Sequence, residues 1–163
     1  MNGLLNPTFK RTITRQLIDE GYIGDDSLEC IFSNRASYKY EIYHSRNYTK
    51  CNKTCDFLIR FLYNSNQYNF GEIDSFFEYN NEIFALIYEF DCSAYDFFHD
   101  EYYKERGELK EFGQKFFSLY YEIDSLSTSK RVIKCKDILS KCVLIDTVDK
   151  KLLVDYLYER EHD

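Results

Sequence analysis

A chain of 163 residues falls in the size range of a single domain and can bury a core without disulfide or metal staples. Tyr and Phe supply 16 and 14 residues, Trp is absent and Pro occurs once, which favours strands and argues against a disordered chain. A formal charge of −7 and a pI near 5.0 disfavour indiscriminate nucleic-acid binding, and no apolar run approaches the roughly 18 residues that a membrane span needs.

Asn6-Pro7 reads as a helix start, with Asn as N-cap and Pro at the first helical position. Phe9, Ile13 and Leu17 recur every fourth residue, with Ile18 and Tyr22 beside them, and Gly21 suits a left-handed C-terminal cap. Residues 1–29 are therefore expected to be a helical extension, ahead of one β-rich unit over residues 30–163. Asn6, Pro7, Lys10 and Arg11 interrupt any signal-peptide apolar core, so the chain is expected inside the cell. In that setting the six cysteines (Cys30, Cys51, Cys55, Cys92, Cys135 and Cys142) are expected to be free thiols.

From Leu28 onward the chain looks extended. Cys30-Ile31-Phe32 and Tyr40-Glu41-Ile42-Tyr43 are short strand candidates, and residues 56–63 are a stronger one, ending in a turn at Asn64-Ser65-Asn66. Residues 70–90 read as two long strands about a tight Asn80-Asn81 turn, because Asn tolerates the positive φ that such turns require. Ile83, Ala85, Ile87 and Glu89 alternate with Phe84, Leu86, Tyr88 and Phe90. Both faces are largely apolar, which places this hairpin in the middle of a sheet. Residues 91–115 look like an acidic, partly helical insertion. Extended structure resumes at residues 116–123, followed by a polar turn at 125–129, a strand at 130–134, and a short turn or helix at 135–139. Residues 141–146 and 152–156 form a closing hairpin.

Charge is unevenly distributed. Residues 30–60 hold six basic and two acidic side chains, a net +4, whereas residues 72–124 hold fourteen acidic and four basic ones, a net −10.

The order of these pieces resembles the bromo-adjacent homology (BAH) domain. The hairpin from Phe70-Gly71-Glu72-Ile73 to Ala85-Leu86-Ile87-Tyr88-Glu89-Phe90 is similar to that family's strand pair, and Lys115-Phe116-Phe117-Ser118 is similar to its "ELF-S" segment. Residues 132–144, with Lys141-Cys142-Val143, look like its "K-C-x-V" segment. A variant at the C-termini of invertebrate transposable-element-related proteins is closer, through residues 42–50, the Phe70-Gly71 hairpin, Lys141-Cys142-Val143 and Glu161-His162-Asp163. The resemblance covers about residues 31–163.

It implies a mainly β fold: a partly open β-barrel or twisted antiparallel sheet with an N-terminal helix and a partly helical acidic insertion. It also implies a nuclear, non-enzymatic interaction module that binds a protein partner, for which a basic chromatin segment such as a histone tail is the expected class. Phe70, Tyr88 and Phe90 would correspond to the aromatic cage in which some family members hold a methylated lysine. Core packing is the competing reading of Tyr88 and Phe90.

The alternative function is nucleic-acid binding by an accessory domain through Arg35, Lys39, Arg46, Lys50 and Lys53, which interleave with Tyr38, Tyr40, Tyr43 and Tyr48. No catalytic set stands out, since His44, His99 and His162 lie in polar surroundings and the glycines are scattered. Cys51 and Cys55 with His44 are the one hint of a metal site. They lack a second ligand pair, so neither metal nor cofactor is expected.

Overall fold

The computed structural model describes residues 7–19, 21, 31–48, 57–95 and 120–155. Helix α1 spans Pro7–Asp19, with Pro at its first position as the fixed φ of that residue favours. Gly21 ends the turn at φ +76 and donates its N–H to the Ile18 carbonyl at 3.0 Å. Ile13 and Leu17 are fully buried on one stripe of the helix, as the four-residue spacing predicts.

Among the described residues nine strands follow: β1 (Ile31–Ser33), β2 (Arg35–Tyr38), β3 (Glu41–His44), β4 (Leu58–Asn64), β5 (Gln67–Tyr79), β6 (Glu82–Ala94), β7 (Tyr120–Lys134), β8 (Ile138–Asp146) and β9 (Lys151–Asp155). A single 3-10 turn, Cys135–Asp137, separates β7 from β8. All pairings are antiparallel. Strands β5, β4, β8, β9, β7 and β6 pair in that order and β6 pairs back to β5, making a ring of six, while β1 adds to β5 outside it. The ring is a partly open barrel: it is zipped through only three register pairs at β4–β8 and three at β7–β9. The mainly β architecture expected from the sequence is present.

The β5–β6 hairpin pairs through nine register positions, from Phe70–Phe90 to Tyr79–Glu82. Asn80 and Asn81 both take positive φ, 49 and 61, the two-residue turn that matches strand twist. Its faces pack into different places. Ala85 and Ile87 join Ile59, Phe61, Ile73, Phe76, Ile133 and Ile138 beneath the β2–β3 hairpin, which contributes Ala36 and Tyr43. Phe84 and Leu86 join Phe77 and Val132 beneath Ile13 and Leu17 of α1. The third cluster draws on all six ring strands, through Leu58, Phe70, Phe90, Cys142 and Leu153 with Tyr121, Ile123 and Leu144, and so fills the interior of the ring.

Three local readings change. Residues 125–129, expected as a polar turn, lie inside the continuous strand β7. The extra residues are absorbed as a bulge against β6, where Tyr88 faces Lys130 but Phe90 faces Leu126. Tyr40, expected to open a strand, instead forms a two-residue turn with Lys39, at φ 68 and 49, and the preceding β2 pairs with β3. The acidic insertion expected at residues 91–115 starts later than expected, because Asp91–Ala94 still belong to β6 and pair with β7; residues 96–115 lie outside the described residues.

One buried polar group ties β4 to β8 and β9. Arg60 on β4 forms an ion pair with Asp155 on β9, and Ser140 on β8 donates to the same carboxylate at 2.7 Å. The Asp155 side chain is 1% exposed. Beside it the Tyr68 and Tyr121 hydroxyls are 2.9 Å apart, and burial raises the Tyr121 ionisation well above the ordinary phenol value.

Candidate functional site

The aromatic trio separates in the fold. Phe70 and Phe90 are cross-strand partners inside the ring and almost fully buried, so their rings serve the core. Tyr88 is half-buried and lies two residues before Phe90, opposite Glu72 on β5 and Lys130 on β7.

Tyr88 already holds two cations from its own chain. The Arg46 guanidinium lies 4.6 Å from the ring centroid and the Lys130 ammonium 4.9 Å from it. Both distances fall within the range where the negative face of an aromatic ring attracts a cation. Two carboxylates complete the arrangement. Glu72 accepts a hydrogen bond from Arg46 Nη1, while Asp74 accepts from Lys130 Nζ at 2.8 Å and lies 3.6 Å from Arg46 Nε.

Each component is positioned by backbone structure. Asp74 sits at a bulge, because β5 slips register against β6 between Ile73 and Ser75. Its side chain is 6% exposed, so its charge is tolerable only with cations beside it. Arg46 follows β3, and its N–H donates to the Ile73 carbonyl at 2.8 Å, anchoring this turn to the bulged strand. Asn47 reaches the Asp74 carbonyl from the same turn at 3.4 Å. The Arg46 pKa is raised, chiefly by the hydrogen bond to Glu72, with Coulombic help from Glu72, Tyr88 and Asp74. Two cations and two carboxylates around one ring form a charge-balanced cluster that carries no nucleophile.

The basic segment is dispersed by the fold. Arg46 is engaged by Glu72 and Asp74, while Arg35 and Lys39 are exposed on the β2–β3 hairpin. Lys39 stacks on Tyr38 at 5.3 Å, and Tyr40 projects fully into solvent beside it. Lys50 and Lys53 lie outside the described residues, as do Cys30, Cys51, Cys55, His99 and His162. His44 stacks on Tyr48 at 4.3 Å. Among the described residues no three His, Cys, Asp or Glu side chains are grouped to hold a metal ion. None of the described helices is long and apolar enough to cross a membrane.

Sequence reasoning selected Tyr88 for its place at a strand end but assigned Arg46 to a different function and passed over Asp74 and Lys130. The Glu72-x-Asp74 pair set between Phe70 and Phe76-Phe77 was the available signal. Its cations come from 26 and 56 residues away along the chain, beyond the reach of local pattern.

Cys92, Cys135 and Cys142 are free thiols. Burial is the first cause of a raised pKa in each, lifting Cys92 and Cys135 from 9.0 to about 12 and Cys142 higher still. Below about pH 9 these thiols are protonated whether the chain is folded or unfolded; above it the unfolded chain loses protons that the folded chain retains. Stability should therefore fall progressively as pH rises from about 9 toward 12, read as a declining urea midpoint. Site-resolved alkylation near neutral pH should leave Cys135 and Cys142 unlabelled until urea is added. Rapid native labelling of Cys142 would contradict its place inside the ring.

No family model matches this chain, and neither a curated protein nor a solved structure matches it.

Proposed function

We propose that the chain is a BAH-like, non-enzymatic interaction module that binds a basic segment of a protein partner at the Tyr88 face. One observation carries this reading: the Tyr88 ring, with Glu72 and Asp74, already holds a guanidinium and an ammonium. A partner's lysine or arginine can make the same contacts if Arg46, whose side chain is 38% exposed, swings outward. The entering cation replaces one of equal charge, so the carboxylates are never left unpaired. The net charge of −7 favours the encounter with a basic chain. A histone tail is the class of ligand that fits best, which makes the nucleus the working location and a mobile element a plausible origin for the domain.

A fluorescent, lysine- and arginine-rich tail peptide should bind, with Tyr88→Ala and Glu72→Gln each weakening binding about tenfold, the scale of one partly desolvated cation–π or charge-assisted contact. Equal binding by both variants would sink the reading.

A second reading keeps nucleic acid as the ligand of the β2–β3 hairpin. Its support is Tyr40, fully exposed beside Lys39 in a strained turn and available to stack on a base. A single-stranded oligonucleotide added to the same titration separates the two. Binding that survives Tyr88→Ala but not Tyr40→Ala, and weakens steeply with salt, belongs to the hairpin.

A further inference from the structure

The two cations on Tyr88 are held in different ways. Lys130 belongs to the sheet: it is the register partner of Tyr88 on β7, and its side chain is 19% exposed. Its ammonium sits against one Asp74 oxygen, Oδ2, at 2.8 Å. Arg46 comes from the turn after β3 and its side chain is twice as open, at 38%. The turn is anchored through the Arg46 backbone N–H on the Ile73 carbonyl, so the guanidinium can leave while that anchor stays.

The Arg46 guanidinium is met from two sides. Nη1 donates to Glu72 Oε1, and Nε lies 3.6 Å from Asp74 Oδ1, the carboxylate oxygen that Lys130 does not take. The carbon between these nitrogens stands 4.6 Å from the Tyr88 centroid. Glu72 and Asp74 are two residues apart on β5. The slot that Arg46 fills is therefore a ring face flanked by two carboxylates, with Lys130 as a fixed wall.

Cations differ in how well they fill such a slot. A planar guanidinium directs N–H groups outward along its edge, so it can meet both carboxylates while its face stays on the ring. An ammonium is a compact point charge that settles against one oxygen, as Lys130 does on Asp74. Trimethyllysine keeps the charge and the attraction to the ring but has no N–H. Glu72, whose side chain is 14% exposed, would then lose its hydrogen bond. The cost of moving Arg46 aside is common to every entering cation and cancels from the comparison.

We propose that the slot held by Arg46 selects an arginine of the partner over lysine and trimethyllysine, with Glu72 setting the preference. This selectivity rests on the Tyr88 face being the binding site.

Fluorescence anisotropy of the whole chain with four labelled peptides tests it. The peptides share one length and sequence and carry, at the same three positions, arginine, lysine, trimethyllysine or citrulline. Arginine should bind about tenfold tighter than lysine and trimethyllysine, the scale of one charge-assisted hydrogen bond. Citrulline, with the shape of arginine but no charge, should not bind up to millimolar peptide. The protein is identical in these four titrations, so the comparison does not depend on a variant folding. In Glu72→Gln, which keeps the size of the side chain, arginine and lysine should bind within about twofold of each other. Equal binding of arginine and lysine peptides, both weakened by Tyr88→Ala, would overturn the selectivity and leave the Tyr88 face as the site. Tightest binding by trimethyllysine, or an arginine preference unchanged in Glu72→Gln, would overturn the selectivity as well. Absence of binding by all four peptides would overturn both the selectivity and the site.

Discussion

Arg60→Leu should destabilise the protein by about 3 kcal/mol or more, the scale of breaking a buried ion pair from one side. The leucine leaves the Asp155 carboxylate, 1% exposed, with the Ser140 hydroxyl as its remaining close partner. An isolated buried charge either stays ionised at high cost or takes up a proton. Position adds to the effect, since Arg60, Ser140 and Asp155 lie on β4, β8 and β9, and the β4–β8 seam is only three register pairs deep. For a chain of this length the loss corresponds to a fall of roughly 6–12 °C in melting temperature. Arg60→Leu combined with Asp155→Leu should recover most of it, because both charges are then gone and apolar groups occupy the space. Additive losses in the double variant would show that packing of the aliphatic arginine stem matters more than the charge.

Gly71→Ala should remove about 1–3 kcal/mol, the range for forcing extra volume into packed structure. Gly71 is buried in β5 and faces Ile59 on one side and Glu89 on the other. A β-carbon there would stand 2.6 Å from the Tyr88 carbonyl oxygen, which belongs to backbone and cannot swing away. The strands must part at the point where Phe70 and Phe90 pair and just before the Tyr88 cluster. Gly21→Ala is the control: a β-carbon there would meet nothing within 4 Å and carries only the penalty of the positive φ, about 1 kcal/mol. The urea midpoint should drop more for Gly71→Ala, and the Arg46 contacts should weaken with it. Equal drops would mean that β5 and β6 separate freely at this point.

The parts of the fold that could be read from sequence are those written in local chemistry. Asn80-Asn81 announced its turn because asparagine tolerates positive φ, and the apolar alternation around it announced two buried faces. Lys39-Tyr40 forms the same kind of turn with residues that carry no such signal, so β2 went unseen. The largely polar run at 125–129 looked like a turn because Ser and Thr favour turns, yet Ser125 and Leu126 pair with β6 and the residues after them are taken up as a bulge within β7.

The candidate site was less legible still. Alternation placed Tyr88 and Phe90 on one face, but only the closure of the ring decides that Phe90 lies inside it while Tyr88 meets Arg46 and Lys130. Arg60 and Asp155 are 95 residues apart, and nothing local to either predicts the other.

Binding as proposed requires the Tyr88 face to exchange its own guanidinium for a partner's cation. The most direct measurement follows the Arg46 Nε–H resonance by nitrogen-15 NMR while a lysine- and arginine-rich tail peptide is added. The Arg46 signal should move toward that of a free, solvent-exchanging guanidinium along the same saturation curve as the Tyr88 ring signals, and Tyr88→Ala should abolish both changes. Peptide binding that leaves Arg46 and Tyr88 unshifted, or no binding at millimolar peptide, would contradict the account.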